Sequence, residues 1–111
     1  MTIKNYTAAS EIPAHRIFKF AAKDSHIELA TAKTDTLMGV TDNLNVKVGD
    51  IVDAHLGGIV DVEYGGTIVA GEPLTADNVG RAVKAQGADK IVGYALISGI
   101  VDVIGSMVIN R

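Results

Sequence analysis

The chain has 111 residues, no cysteine and a formal net charge of −3. That length suits one compact core, and the missing thiols exclude a disulfide framework, a thiolate metal site and a cysteine nucleophile. The acidic balance argues against a general nucleic-acid binder, which presents a basic face to the phosphates.

The opening MTIKNYTAASEIPAH lacks the basic segment and apolar run of a secretory leader. It reads as an N-terminal arm or edge strand over residues 1–15, extended at 2–7, ahead of a β-rich domain over 16–111. Five basic residues (Lys4, Arg16, Lys19, Lys23, Lys33) in this first third leave the remainder more acidic, a mild asymmetry typical of a mixed solvated surface. Valine- and isoleucine-rich runs bounded by turn residues then predict strands at 16–21, 26–31 and 36–41.

In DIVDAHLGGIVDVEY, residues 50–64, Val52, Ala54 and Leu56 share one strand face, as do Val60, Val62 and Tyr64. The pattern predicts strands 50–56 and 59–64 joined at Gly57-Gly58 by a three-residue loop, since a two-residue loop would set polar residues opposite the apolar row. The outer faces would then bring Asp53 and His55 beside Asp61 and Glu63. Gly65-Gly66 and Gly71-Glu72-Pro73 read as further bends around a strand at 67–70, because proline has no backbone donor.

LTADNVGRA reads as a turn at Asn78-Val79-Gly80 before a strand at 81–85. Residues 91–109 are as long as a membrane span and hold one charge, Asp102. A buried aspartate would cost about 2.5–3.5 kcal/mol on the insertion scale, and Gly93, Gly99 and Gly105 divide the run into strand lengths. Strands at 91–97, 100–104 and 106–110 are predicted instead. The fold class is all-β: a small antiparallel β-barrel or β-sandwich-like domain with short hairpins and an N-terminal arm.

Fragments recur. GDIVDA at 49–54 and GIVDV at 58–62 and 99–103 share a glycine before an alternating strand, and LMGV at 37–40 resembles IVGY at 91–94. A worn duplication and repeated use of the same hairpin solution both account for them.

Chemistry-bearing residues are few. Asp53, His55, Asp61 and Glu63 form the best constellation for a divalent metal or acid/base work, and equally what an exposed antiparallel face contains. His15 and His26 lack catalytic spacing, the serines lack a nucleophile elbow, and no G-x-x-x-x-G-K-[ST] run is present. VKVGDIVDAHLGG and GGTIVAGEPLTAD resemble turns of lipoyl and biotinyl carrier domains, but Lys90 follows that half rather than preceding it and has no flanking methionines. A small carrier or ligand-binding β-barrel is the alternative reading, and a metal-dependent hydrolase the third.

YTAASEIPAHRIFKF, TDTLMGVTD, VDVEYGGTIVAGEPLTAD, GRAVKA, IVGYALISG and DVIGSMVINR together resemble tailed-bacteriophage capsid cement, or head decoration, proteins. The resemblance implies a structural virion protein, not an enzyme, made in the host cytoplasm and seated on the outer surface of the expanded phage head. It implies the major capsid protein as partner and self-association, commonly as a homotrimer at local threefold positions. No catalytic residue, cofactor, metal, nucleic acid or membrane is implied. Ile3, Lys4 and Tyr6, placed to add an edge strand to a neighbour, are the candidate capsid or oligomer interface.

Overall fold

A computed structural model describes the backbone of residues 2–109 and the side chains of 4–109. Nine strands follow in chain order: β1 (Thr2–Ala8), β2 (Ile17–Phe20), β3 (His26–Leu29), β4 (Gly39–Thr41), β5 (Ile51–Glu63), β6 (Pro73–Ala76), β7 (Ala82–Lys84), β8 (Gly93–Ala95) and β9 (Ile104–Ile109). No helix occurs among the described residues, so the chain is all-β.

The strands close a five-stranded barrel in the order β1-β3-β2-β4-β5, with β1 pairing back onto β5. All its pairings are antiparallel except β1 with β3. Beyond it, β9, β8, β6 and β7 are laid onto the second half of β5, and Tyr64 bridges Ala82 of β7 to bring this set round as well.

The hairpin expected at Gly57-Gly58 does not form. β5 instead runs 13 residues from Ile51 to Glu63. The apolar residues keep one parity throughout, from Val52 and Ala54 to Val60 and Val62, so an unbroken strand buries both rows. Gly58 has φ +79, a left-handed conformation that glycine adopts without penalty, where the strand passes from one set of partners to the next. Other expected strands are shorter: 91–97 contracts to β8, 100–104 becomes the turn before β9, and 67–70 keeps one bridge, Ile68 to Gly99. Those segments carry the turn residues that punctuate them, and a single bridge satisfies only part of their backbone.

Residues 2–57 and 58–109 follow one plan. Tyr6 opposes Val52 across β1 and β5 as Val62 opposes Gly105 across β5 and β9. Phe18 opposes Gly39 as Leu74 opposes Gly93, and the Ile12–Val46 bridge corresponds to Ile68–Gly99. Left-handed positions coincide too: His15 with Gly71, Ser25 with Gly80, and Gly49 with Asp102. The chain is therefore an internal duplicate, with β5 serving as the last strand of the first repeat and the first strand of the second. Of the echoes in the sequence, LMGV and IVGY are equivalent. The two GIVDV segments are not, since 58–62 corresponds to residues 2–6 and 99–103 to residues 46–50.

The two repeats fill equivalent interiors differently. The first cluster holds Tyr6, Ala8, Ile12, Phe18, Ile27, Val46, Val52 and Ala54. In the second repeat Tyr64 stands where Ala8 does, and Gly99 and Gly105 stand where Val46 and Val52 do. A Cβ at Gly105 or Gly99 would strike the Tyr64 ring. One large ring and two glycines thus take the places of one alanine and two valines. The Tyr64 hydroxyl donates to the Ile97 carbonyl at 2.7 Å and the Ser106 carbonyl at 3.3 Å, tying the loop before β9 to the core.

Two outcomes test this packing. Tyr64→Ala alone should cost about 3–5 kcal/mol by the cavity it leaves, and Gly105→Val alone should cost about 1–3 kcal/mol or more by overpacking. The triple variant Tyr64→Ala, Gly99→Val, Gly105→Val, which installs the first repeat's packing, should recover stability well beyond the sum of the single changes, measured by urea unfolding. Burial, against the weaker opposing effect of the Ser106 hydrogen bond, raises the Tyr64 hydroxyl above its ordinary 10.0. Its folded value lies above the unfolded one, so its contribution is complete below about pH 10 and is lost as pH climbs through the raised value. Ultraviolet titration should show one of the three tyrosines ionising last, and Tyr64→Phe should remove that late phase.

Candidate functional site

The odd-numbered face of β5 carries Asp53, His55, Asp61 and Glu63 on either side of the left-handed Gly58, and of these His55 and Asp61 line one cleft while Asp53 and Glu63 do not. His55 Nε2 lies 3.6 Å from Asp42 Oδ1, and His55 Nδ1 is buried without a protein partner among the described residues. Glu63 turns to Arg16 at 3.3 Å, and its backbone N–H donates to the His15 carbonyl. Arg16 Nη1 donates to the Val79 carbonyl at 2.8 Å, so the Arg16–Glu63 pair fastens the first repeat to the second.

His15, Asp42, His55 and Asp61 share a shallow cleft of about 160 Å³. Among the described residues no three metal-capable side chains come close enough to hold an ion. The convergence expected of all four residues depended on the hairpin; without it, His55 and Asp61 alone of the four share that cleft. His26 faces the Asp24 carbonyl at 2.9 Å, away from that cleft. Lys90 is exposed in the loop between β7 and β8, where its backbone N–H donates to the Lys33 carbonyl.

The interface candidates lie on β1. Its even residues turn their backbone groups to β5, since Ala8 N–H donates to the Asp50 carbonyl, while Thr7 N–H donates to Ser25 on the opposite edge. Alternation puts the backbone groups of Ile3 and Asn5 on that opposite edge, where β3 pairs only with Thr7 and Ala8. Among the described residues no strand covers this stretch. The side chain of Ile3 lies outside the described ones. Tyr6 is buried, with its ring 6.3 Å from Phe18 and 5.6 Å from Phe20, and exposed Lys4 places Nζ 5.6 Å from the same ring. Lys4, Tyr6, half-exposed Phe20 and Lys23 line a cleft of about 220 Å³ beside the open edge.

A second surface was not singled out from the sequence. Leu96, Ile97, Ile100, Val101, Val103 and Ile104 are all exposed, and Val69 lies beyond the neighbouring Ile68–Gly99 bridge. Its signal was the near absence of charge over 91–109, which bears on a span or a core as much as on a face. The lone charge, Asp102, meets Arg81 at 3.0 Å, and Arg81 is held by Asp77 at 2.9 Å.

These surfaces offer an open strand edge and an apolar face, and the described residues gather no reactive cluster. Residues 2–98 match the family described as phage cement protein. The chain belongs to that family. It is also similar to a solved structure, the head fiber gp8.5 N base of bacteriophage phi29, at 25% identity and a TM-score of 0.77 over 99% of this chain and 94% of that one. No curated protein sequence matches. Membership makes this a phage structural protein associated with the head, and the expected resemblance to cement proteins holds.

Of the carboxylates of β5, Glu63 pairs with Arg16, while His55 pairs with Asp42 after β4, and the described residues form no ligand set. Adding excess Zn²⁺ or Mn²⁺ should therefore leave the thermal unfolding midpoint unchanged in both the parent chain and Asp61→Ala. A metal bound at 100 times its dissociation constant would add about 2.7 kcal/mol and be plain in the midpoint.

Proposed function

We propose that the chain is a capsid cement subunit that binds the outside of the expanded head and stabilises the lattice of the major capsid protein. It acts by binding alone, without catalysis, cofactor, nucleic acid or membrane, and assembles as a homotrimer at local threefold positions after synthesis in the host cytoplasm. The observation that carries this reading is membership of the phage cement protein family over residues 2–98. Many equivalent sites on a shell let moderate contacts reinforce one another, so each subunit needs a face rather than a reaction centre.

The capsid contact is assigned to the first fifteen residues, with 16–111 as the supporting body. Ile3, Lys4 and Tyr6 divide the work: the backbone at Ile3 and Asn5 offers donors and acceptors to an extended segment of the capsid protein, Lys4 supplies charge, and buried Tyr6 holds the strand in place. Because Tyr6 and Ala8 belong to the core, removing the whole segment would also damage the barrel.

Point changes separate the two effects. Asn5→Pro removes one donor from the open edge, and Lys4→Glu reverses the charge beside it. Together they should lower occupancy of expanded heads by about tenfold or more, read by co-sedimentation, while the unfolding midpoint moves little. Full occupancy by the double variant would sink the β1 assignment, and failure of the parent chain to bind intact heads, before or after expansion, would sink the cement reading.

A further inference from the structure

The seam beside the opening strand is built differently in the two repeats. In the first, the Thr7 N–H donates to the Ser25 carbonyl and closes β1 directly onto the turn before β3. Glu63 and Gly80 are the equivalent residues of the second repeat, but another piece of chain stands between them. The Glu63 N–H donates to the His15 carbonyl, and the Ile17 N–H donates to the Gly80 carbonyl. Between those two bonds the Arg16 guanidinium reaches Glu63 Oε2 at 3.3 Å and the Val79 carbonyl at 2.8 Å. The seam of the second repeat is thus filled by residues 15–17 of the first, held by backbone bonds and one pair of opposite charges.

In the first repeat the seam stays unfilled beyond Thr7. β1 runs on to Thr2 while β3 pairs only with Thr7 and Ala8, so the backbone groups of Ile3 and Asn5 face it without a partner strand among the described residues. Its charge is opposite to that of Glu63. Lys4 and Lys23 set two ammonium groups against the single carboxylate of Asp24, and neither lysine has an ion pair among the described residues. Its floor is aromatic, with Phe20 46% exposed and the Phe20 ring 5.6 Å from Tyr6 and 6.5 Å from Phe18.

We propose that this seam takes an extended segment of the capsid protein in which an acidic and an apolar residue stand two positions apart. Lys4 and Tyr6 are two apart on one face of β1, so a segment paired with that edge presents its own alternate side chains to both. One of them brings a carboxylate to Lys4 and Lys23, as Glu63 meets Arg16 in the sister seam, and the other covers Phe20. The backbone of Ile3 and Asn5 bonds to any extended chain; the lysines and the ring select which one. This inference deepens the β1 assignment of the proposed function and rests on it.

The test uses the whole chain and capped peptides, apart from heads. Thr-Glu-Thr-Val-Thr at millimolar concentration should shift the Asn5 backbone amide signal saturably and slow its hydrogen exchange, and Thr-Lys-Thr-Val-Thr should bind about tenfold more weakly. In the double variant Lys4→Glu, Lys23→Glu, which changes only exposed side chains, the preference should reverse. No saturable shift at Asn5, equal binding of the two peptides, or an unchanged preference in the variant overturns the proposal. An Asn5 amide that becomes protected as the chain's own concentration rises, without peptide, gives the seam to a second copy and overturns it too. A chain that binds heads through Lys4 but neither peptide loses this occupant and keeps the β1 assignment. A chain that binds the glutamate peptide as expected but no heads upholds the seam and removes the cement reading.

Discussion

The continuity of Ile51–Glu63 governs the rest of the molecule, because one extended strand takes its first half from one repeat and its second from the other. A strand buried along one face must keep its alternation, and β5 keeps it across Gly57 and Gly58 without a change of parity. The first half then pairs with β1 and β4, the second with β9, and each repeat's opening strand lies antiparallel to its closing one. Since the two repeats share this strand, their mutual placement is covalent. The Arg16–Glu63 pair and the Ile17 N–H bond to Gly80 fasten the same junction from the side.

Around that strand, one backbone plan supports two interiors and two surfaces. Inside, Ala8 with Val46 and Val52 stands where Tyr64 stands with Gly99 and Gly105, so the same places are filled by one ring in place of three small side chains. Close packing explains the pairing, since a Tyr64 ring beside valines would have no room and glycines beside an alanine would leave a void. Outside, no such constraint acts. Both loops expose apolar residues, Leu44, Val48 and Ile51 around the start of β5 and Ile97, Val101 and Ile104 around the start of β9, and loops held by a rigid scaffold are where binding functions accumulate.

Under the proposed function, a phage cement protein built this way acts through its faces. The open edge of β1 and the apolar loop before β9 lie on different repeats. The carboxylates of β5 meanwhile serve the junction and the solvent. The left-handed residues His15, Ser25 and Asp102 sit where turns need them, and Asp102 turns its side chain to Arg81. The resemblance in the sequence reached the family because E-Y-G-G-T-I-V-A-G-E-P-L-T-A-D and the segments around it are mostly turn and core residues, which the fold itself demands.

Alternating valine and isoleucine with turn glycines and prolines determined by themselves that the chain is all-β and that Val60, Val62 and Tyr64 face inward, because strand periodicity is a local property. The same local signal misread Gly57-Gly58 as a corner. Two adjacent glycines suit a hairpin and a bend in a long strand equally, and only the partners waiting at β4, β1 and β9 decide between them. The duplication was faint for a related reason: Ala8 with two valines and Tyr64 with two glycines look unrelated until the register shows that they occupy the same places. Which apolar residues are exposed was likewise beyond the sequence, since Ile100 and Ile109 are alike as residues and differ only in what the folded chain packs over them.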